Sequence, residues 1–177
     1  TLTPRDRVVV IGAGGLGLIG IQVLTALSPA EIVVVDRNPD AVALAETIGA
    51  HHGVVADGGQ VEAVQDLTGG LGAEVVIDFV GEGGATAEGV AMLRQAGDYY
   101  VVGYGENIDV PTIDIVSAEL NIVGNLVGSY NDLCDLMALA ARGAVVLHTA
   151  KYALDDFQSA IDDLDAGRVR GRAILTP

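Results

Sequence analysis

Four β-branched residues in a row, Val8-Val9-Val10-Ile11, run directly into Gly12-Ala13-Gly14-Gly15-Leu16-Gly17, and an apolar, helix-compatible stretch continues to Leu27 before Ser28-Pro29 stops it. An unbroken β-branched run suits a strand covered on both faces, as in a parallel sheet. A strand that passes through a short loop into a helix returns to its sheet by a crossover, so this segment commits the chain to an α/β architecture. With 24 glycines in the chain, the G-x-G-x-x-G spacing means little by itself. Between strand and helix it acquires a mechanism. Gly12 permits the tight turn, Gly14 lets the backbone approach a pyrophosphate, and Gly17 lets the helix pack close to the strand. The amides of Gly15 and Leu16 would meet the phosphates from the positive end of the helix dipole.

The alternation continues. Residues 32–35 read as a second buried strand ending in Asp36, and Asn38-Pro39 as the N-cap and first-turn proline of a helix through Ile48 that Gly49 closes. Residues 52–56 read as a third strand, 61–67 as a short helix, 74–80 as a fourth strand, 85–94 as a helix and 99–102 as a fifth strand. The stretch 103–119 reads as irregular, 120–124 as a sixth strand and 131–142 as a helix. A last helix is expected from Asp155, with Asp155 and Gln158 as a capping-box-like pair and Phe157, Ile161 and Leu164 on one face. A terminal strand, 172–176, follows. This order predicts a single domain, 1–177: a doubly wound parallel sheet of about six core strands with helices on both faces.

Asp36 lies 19 residues after Gly17, where a dinucleotide fingerprint places an acid. Its carboxylate would accept hydrogen bonds from the adenosine ribose and repel the extra phosphate of NADP, so the expected cofactor is NAD. Arg37 could pair with a 2′-phosphate or stack on adenine, but Asp36 holds the discriminating position.

Acidic residues outnumber basic ones by 24 to 9, for a net charge of −15, and Lys151 is the single lysine. Such a field repels nucleic acid and anionic membranes, so neither is an expected partner. No apolar run approaches the roughly 18 residues of a membrane span, and no charged-then-apolar leader follows Thr1. The one cysteine, Cys134, allows no internal disulfide, and a reducing cytoplasm is expected. His51 and His52 are adjacent, His148 is distant, and none shares zinc spacing with Cys134. The first two read as polar residues at a strand entrance, and Cys134 as a small helix residue near the core. No tyrosine has a lysine four residues later, and there is no G-x-S-x-G or Walker lysine. The pairs Asp155-Asp156 and Asp162-Asp163 read as a helix cap and a solvated face. No catalytic residue and no metal ligand is therefore assigned to this chain.

Further motifs follow the glycine loop: Val35-Asp36, Ile48-Gly49-Ala50, Leu67-Thr68-Gly69-Gly70, Val76-Ile77-Asp78-Phe79-Val80-Gly81 and Val101-Val102-Gly103. The series closes with Gly167-Arg168-Val169-Arg170-Gly171-Arg172-Ala173-Ile174-Leu175. In this order the chain resembles, over nearly its whole length, the cofactor (Rossmann) domain of zinc-dependent medium-chain alcohol dehydrogenases, above all those acting on secondary alcohols. The resemblance implies that Phe79, Val80 and Gly81 lie beside the adenosine, and Val102, Gly103 and Tyr104 near the nicotinamide. It implies that the backbone of Asn125, Leu126 and Val127 binds the carboxamide, and that Arg172 reaches the pyrophosphate with its fixed fork of donors. For the apolar members, plain packing at a strand end is the alternative. Ala41 departs from the pattern: many relatives carry a basic residue there that helps hold the ribose, so weaker cofactor binding is expected.

The resemblance also implies that catalytic zinc, substrate pocket and proton relay belong to a GroES-like domain preceding this one. This chain alone would hold NAD without catalysis; the intact enzyme would move hydride between an alcohol or carbonyl substrate and NAD. Two alternatives stand beside it. An NAD-sensing regulatory module of the potassium-transport type shares the glycine loop and acid but has no obvious counterpart to the segments after Gly81. A zinc-independent quinone or enoyl reductase of the same superfamily usually departs from the full glycine loop and prefers NADP. A homo-oligomer is expected, with Ile113-Asp114-Ile115 and residues 120–123 near the contact, because a bare sheet edge invites pairing.

Overall fold

The structure is a computed structural model that describes all residues, 1–177. Six parallel strands form one sheet in the order β3-β2-β1-β4-β5-β6. They are β1 (Arg7–Ile11), β2 (Glu31–Asp36), β3 (His52–Val55), β4 (Ala73–Asp78), β5 (Leu93–Val101) and β6 (Asn121–Gly124). The crossovers are α1 (Gly17–Leu27), α2 (Pro39–Thr47), α3 (Gln60–Leu67), α4 (Ala85–Ala91) and α5 (Thr112–Ser117), and α6 (Tyr130–Ala141) follows β6. Strand order reverses between β1 and β4, so the crevice above their carboxyl ends is where an open α/β sheet takes a ligand.

The two faces of the sheet are sorted by the strand period of two. Val8, Val10, Ile32 and Val34 point to one face and pack with Leu18 and Ile21 of α1 and Val42 and Ala45 of α2. Val9, Ile11, Val33 and Val35 point to the other and meet Val64 of α3, Ala85 of α4, Met92 and Tyr99. Val8, Val9, Val10, Ile32, Val33 and Val34 are each 0% exposed, which is why these strands read as unbroken apolar runs. Asn38 caps α2 as expected, its side chain accepting from Asp40 N at 2.9 Å, with Pro39 in the first turn.

Several boundaries differ from the sequence reading. The helix expected over 85–94 ends at Ala91, because Leu93 already pairs with Ala73 before the register shifts at Val75. The stretch 103–119, expected to be irregular, contains the short helix α5. Asp155 and Gln158 form no capping box: a 3-10 turn spans Leu154–Asp156, α7 (Phe157–Asp165) follows, and Gln158 donates to Asp162 instead. A complete capping box occurs at α6, where Ser129 and Asp132 exchange side-chain and backbone bonds. Cys134 is exposed on α6, not near the core.

The terminal strand β8 (Arg172–Thr176) exists but does not join the main sheet. It pairs in parallel with β7 (Thr149–Ala153), a strand the sequence reading missed, making a second sheet bridged by α7. This small βαβ unit is fastened to the main sheet's helices by polar contacts. Gln22 of α1 donates to Val146 O and accepts from Val146 N, Asn38 donates to Gly167 O, and Arg170 pairs with Asp40 at 2.8 Å. Phe157, Ile161 and Leu164 share one face of α7 but are 51%, 46% and 60% exposed.

Candidate functional site

The glycine loop sits at the carboxyl end of β1. Gly12 N donates to Val35 O, and the turn places the Gly12 carbonyl under the first helical residue. A methyl group on Gly17 would collide with that carbonyl oxygen, so only glycine lets α1 start this close to the strand. Around Gly14 the space is open. The amides of Gly14, Gly15 and Leu16 find no acceptor within the chain, so the loop presents donors outward from the amino end of α1.

Asp36 braces this loop. Its Oδ2 accepts from Ala13 N at 2.6 Å and its Oδ1 from Asn38 N at 2.7 Å. A carboxylate has about four lone-pair sites, so two remain for hydroxyl donors. Arg172, carried in from β8, lays its guanidinium against Gly15: a methyl there would come within 2.8 Å of Arg172 Cδ. Gly12, Gly14, Gly15, Leu16, Gly17, Asp36, Arg37, Phe79, Val80 and Arg172 thus line one cleft of about 540 Å³, joined by Glu82 and by Leu164 of α7. Beside it, on the α3–α4 face, lies a slot of about 120 Å³ with Val35, Ala56, Val80 and Ala85 as apolar walls and Arg37 and Glu82 at its rim.

The far wall depends on a buried carboxylate. Asp78, 0% exposed at the end of β4, accepts from Val80 N (2.8 Å) and Gly81 N (3.0 Å) through Oδ1, and from the Tyr99 hydroxyl (2.6 Å) through Oδ2. Its backbone oxygen accepts from Val102 N and Gly103 N. One residue therefore holds the loops after β4 and β5 together. Burial, reinforced by the Asp78 carboxylate, pushes the Tyr99 hydroxyl far above its ordinary value. Gly81, at φ +63°, meets the backbone of Gly103, and any side chain there would strike Gly103. Glu106 fastens the next turn: its carboxylate accepts from Gly84 N and from the Thr86 amide and hydroxyl, which hold it below the usual carboxylate range.

Val102, Gly103, Tyr104, Asn125, Leu126 and Val127 do not line the glycine-loop cleft; they follow β5 and β6 along the same carboxyl edge of the sheet. Asn125 N donates to Val101 O, and its side chain donates to Val101 O and Val123 O, which ties that loop to β5. Tyr104, Leu126 and Val127 are 92%, 91% and 93% exposed, and Val127 has φ 44°, costly for a β-branched residue. The sequence reading missed Glu82, Leu164, Asp78 and Tyr99. Asp78 had a signal, an acid closing an apolar strand as Asp36 does; Leu164 had none, because its place depends on how the βαβ unit folds back.

His52 bonds to Glu31 at 2.7 Å, and this bond, with Arg7 alongside, lowers the Glu31 carboxyl. His51 Nδ1 accepts from Ile32 N. No group of three or more His, Cys, Asp or Glu side chains is placed to hold a metal ion, and no helix is long and apolar enough to cross a membrane.

Comparison with known proteins gives a consistent set of likenesses. A family model described as zinc-binding dehydrogenase matches residues 15–142. An NAD-dependent alcohol dehydrogenase of Sulfolobus acidocaldarius is 32% identical over 98% of this chain and 51% of that protein. A D-arabinose 1-dehydrogenase (NADP(+)) of Saccharolobus solfataricus is 35% identical over 96% of this chain and 49% of its own length. The crystal structure of an alcohol dehydrogenase from the archaeon Aeropyrum pernix superposes with a TM-score of 0.97 at 37% identity, covering 100% of this chain and 52% of that one. The chain therefore spans about half the length of the relatives it matches.

Proposed function

The chain belongs to the zinc-binding dehydrogenase family, and from that premise we propose that it is the NAD-holding half of an alcohol dehydrogenase. The intact enzyme would move hydride between an alcohol, of the secondary type by resemblance, and NAD. One observation carries this reading: the unsatisfied amides of Gly14, Gly15 and Leu16 open onto the same cleft as the Asp36 carboxylate and the Arg172 guanidinium. Those are the three kinds of group that a pyrophosphate joined to a ribose requires. The match beyond Gly81, as far as residue 142, favours a dehydrogenase over a nucleotide-sensing module.

The residues fit the dinucleotide, which when bound supplies the hydride acceptor at its nicotinamide ring. The loop amides and Arg172, whose guanidinium lies against Gly15, would hold the pyrophosphate charge together. Asp36 would accept the adenosine ribose hydroxyls on its remaining lone pairs and repel a 2′-phosphate. Phe79, Val80 and Gly81 would flank the adenosine, Val102, Gly103 and Tyr104 the nicotinamide end, and the backbone of Asn125–Val127 would orient the carboxamide. The donor set does not fit zinc, so no step through the metal is assigned to these residues. We place zinc, substrate pocket and proton relay in a GroES-like domain outside these 177 residues.

The reading includes a homo-oligomer. β6 is the last strand of the sheet, and α5, which precedes it in the chain, buries none of its residues, with Ile113 67% and Val116 70% exposed. A reducing cytoplasm suits a chain whose one thiol, Cys134, is exposed and free.

Calorimetric titration of the chain with NAD and NADP tests the assignment. Wild type should prefer NAD, and Asp36→Ala should lower NAD affinity about tenfold and erase the preference. Equal binding of NADP and NAD by wild type would refute the role given to Asp36.

A further inference from the structure

Two charged side chains at the cleft remain without partners. Arg37 and Glu82 are exposed, form no ion pair or side-chain hydrogen bond, and stand at the rim of the same 120 Å³ slot. The walls of the slot, Val35, Ala56, Val80 and Ala85, are apolar, with Val35 2% and Ala85 7% exposed. Apolar walls closed by an acid and a guanidinium suit a flat heteroaromatic ring that carries a hydrogen-bond donor on its edge. Glu82 is also backed from behind. A methyl group on Gly105 would come within 3.0 Å of its Cβ and Oε2, so the loop after β5 limits how far the side chain can swing out.

We propose that Glu82 makes this slot selective for adenine, its carboxylate accepting a hydrogen bond from the exocyclic amine of a base stacked against Arg37. The inference rests on the dinucleotide reading above and names what that reading leaves open, the group that recognises the base. An ionised carboxylate only accepts, so it favours an amine and opposes a carbonyl oxygen at the same place. Asp36 already serves the ribose, and a second carboxylate beside the pyrophosphate would only repel it. Of the dinucleotide's other donors, the amine on the base edge is the one carried by a flat ring that suits the apolar slot Glu82 borders. The guanidinium face of Arg37 suits stacking on such a ring.

The test compares binding of NAD with that of nicotinamide hypoxanthine dinucleotide, whose base carries an oxo group in place of the amine, by calorimetry on the whole chain. Wild type should bind NAD about tenfold tighter than the hypoxanthine analogue. Glu82→Gln should bring the ratio close to one, because an amide can donate to the oxo group as well as accept from the amine. Glu82→Ala should weaken NAD about tenfold and leave the analogue unchanged, and thermal unfolding of both variants should match wild type because the residue is exposed. Equal binding of the two dinucleotides by wild type, or a preference that survives both substitutions, overturns the proposal while leaving the dinucleotide reading intact. Failure to bind either dinucleotide overturns both.

Discussion

Tyr99→Phe removes one oxygen atom and isolates another. In the native chain the Tyr99 hydroxyl donates to Asp78 Oδ2 at 2.6 Å, and both residues are 0% exposed. The substitution leaves that oxygen buried without its donor, while Oδ1 keeps the amides of Val80 and Gly81. A hydrogen bond to a charged group is worth roughly 1.5–3 kcal/mol, and an orphaned buried acceptor costs a similar amount. For a chain of this length each kcal/mol shifts the melting temperature by about 2–4 °C, so a loss of about 2 kcal/mol should lower it by about 4–8 °C. Thermal unfolding followed by circular dichroism at pH 7 measures this directly. The pH dependence carries a sign. The folded-state pKa of Tyr99 is raised above its unfolded value of about 10. Its contribution is therefore complete below pH 10 and declines as pH rises beyond that point. The gap between wild type and Tyr99→Phe should narrow in alkaline buffer. A variant that melts within a degree of wild type at pH 7 would show that Asp78 does not depend on the hydroxyl, and the account of how the β4 and β5 loops are held would fail.

Three other outcomes follow from the same contacts. Gly17→Ala drives a methyl into the Gly12 carbonyl and should cost about 3 kcal/mol together with dinucleotide affinity; near-native melting and binding would contradict the close approach. Glu31→Gln removes the partner of His52 and Arg7 at the amino-terminal end of β2. Because the Glu31 carboxyl is lowered from 4.5, its contribution, under about 1 kcal/mol at this half-exposed site, is present above pH 4.5 and disappears as pH falls through the lowered value. Chemical denaturation at pH 7 and in increasingly acidic buffer should show the variant's deficit shrinking as pH falls below 4.5. Light scattering coupled to size-exclusion chromatography should report a multiple of 18.1 kDa that falls to the monomer with Ile113→Glu and Val116→Glu; a wild-type monomer would refute the sheet-edge contact.

Much of the fold was legible because parallel α/β chains write their layers into local pattern. The valine runs of β1 and β2 appear as unbroken apolar tetrads because both faces are covered, and Asn38-Pro39 starts a helix by chemistry confined to three residues. The glycine loop and Asp36 were legible for the same reason: turn, helix start and acid lie within one βαβ unit. Features that depend on distant partners were harder to read. β7, with the sequence Thr-Ala-Lys-Tyr-Ala, carries no strong strand signal and is defined by its pairing with β8, 23 residues on in register. The short helix α5 was hidden by its proline-led, weakly periodic sequence.

By itself the sequence determined that this chain builds a doubly wound sheet with a phosphate-ready loop and an acid at the second strand, because those features depend on neighbours in the chain. Tertiary structure alone decided what surrounds that loop. Arg172 reaches Gly15 from more than 150 residues away only because β8 pairs with β7 outside the main sheet. Glu82 and Arg37 are brought to the rim of one slot without pairing, and Asp78 turns inward to bind Tyr99 and two loops at once. Burial and through-space approach set these contacts, and no local periodicity encodes them.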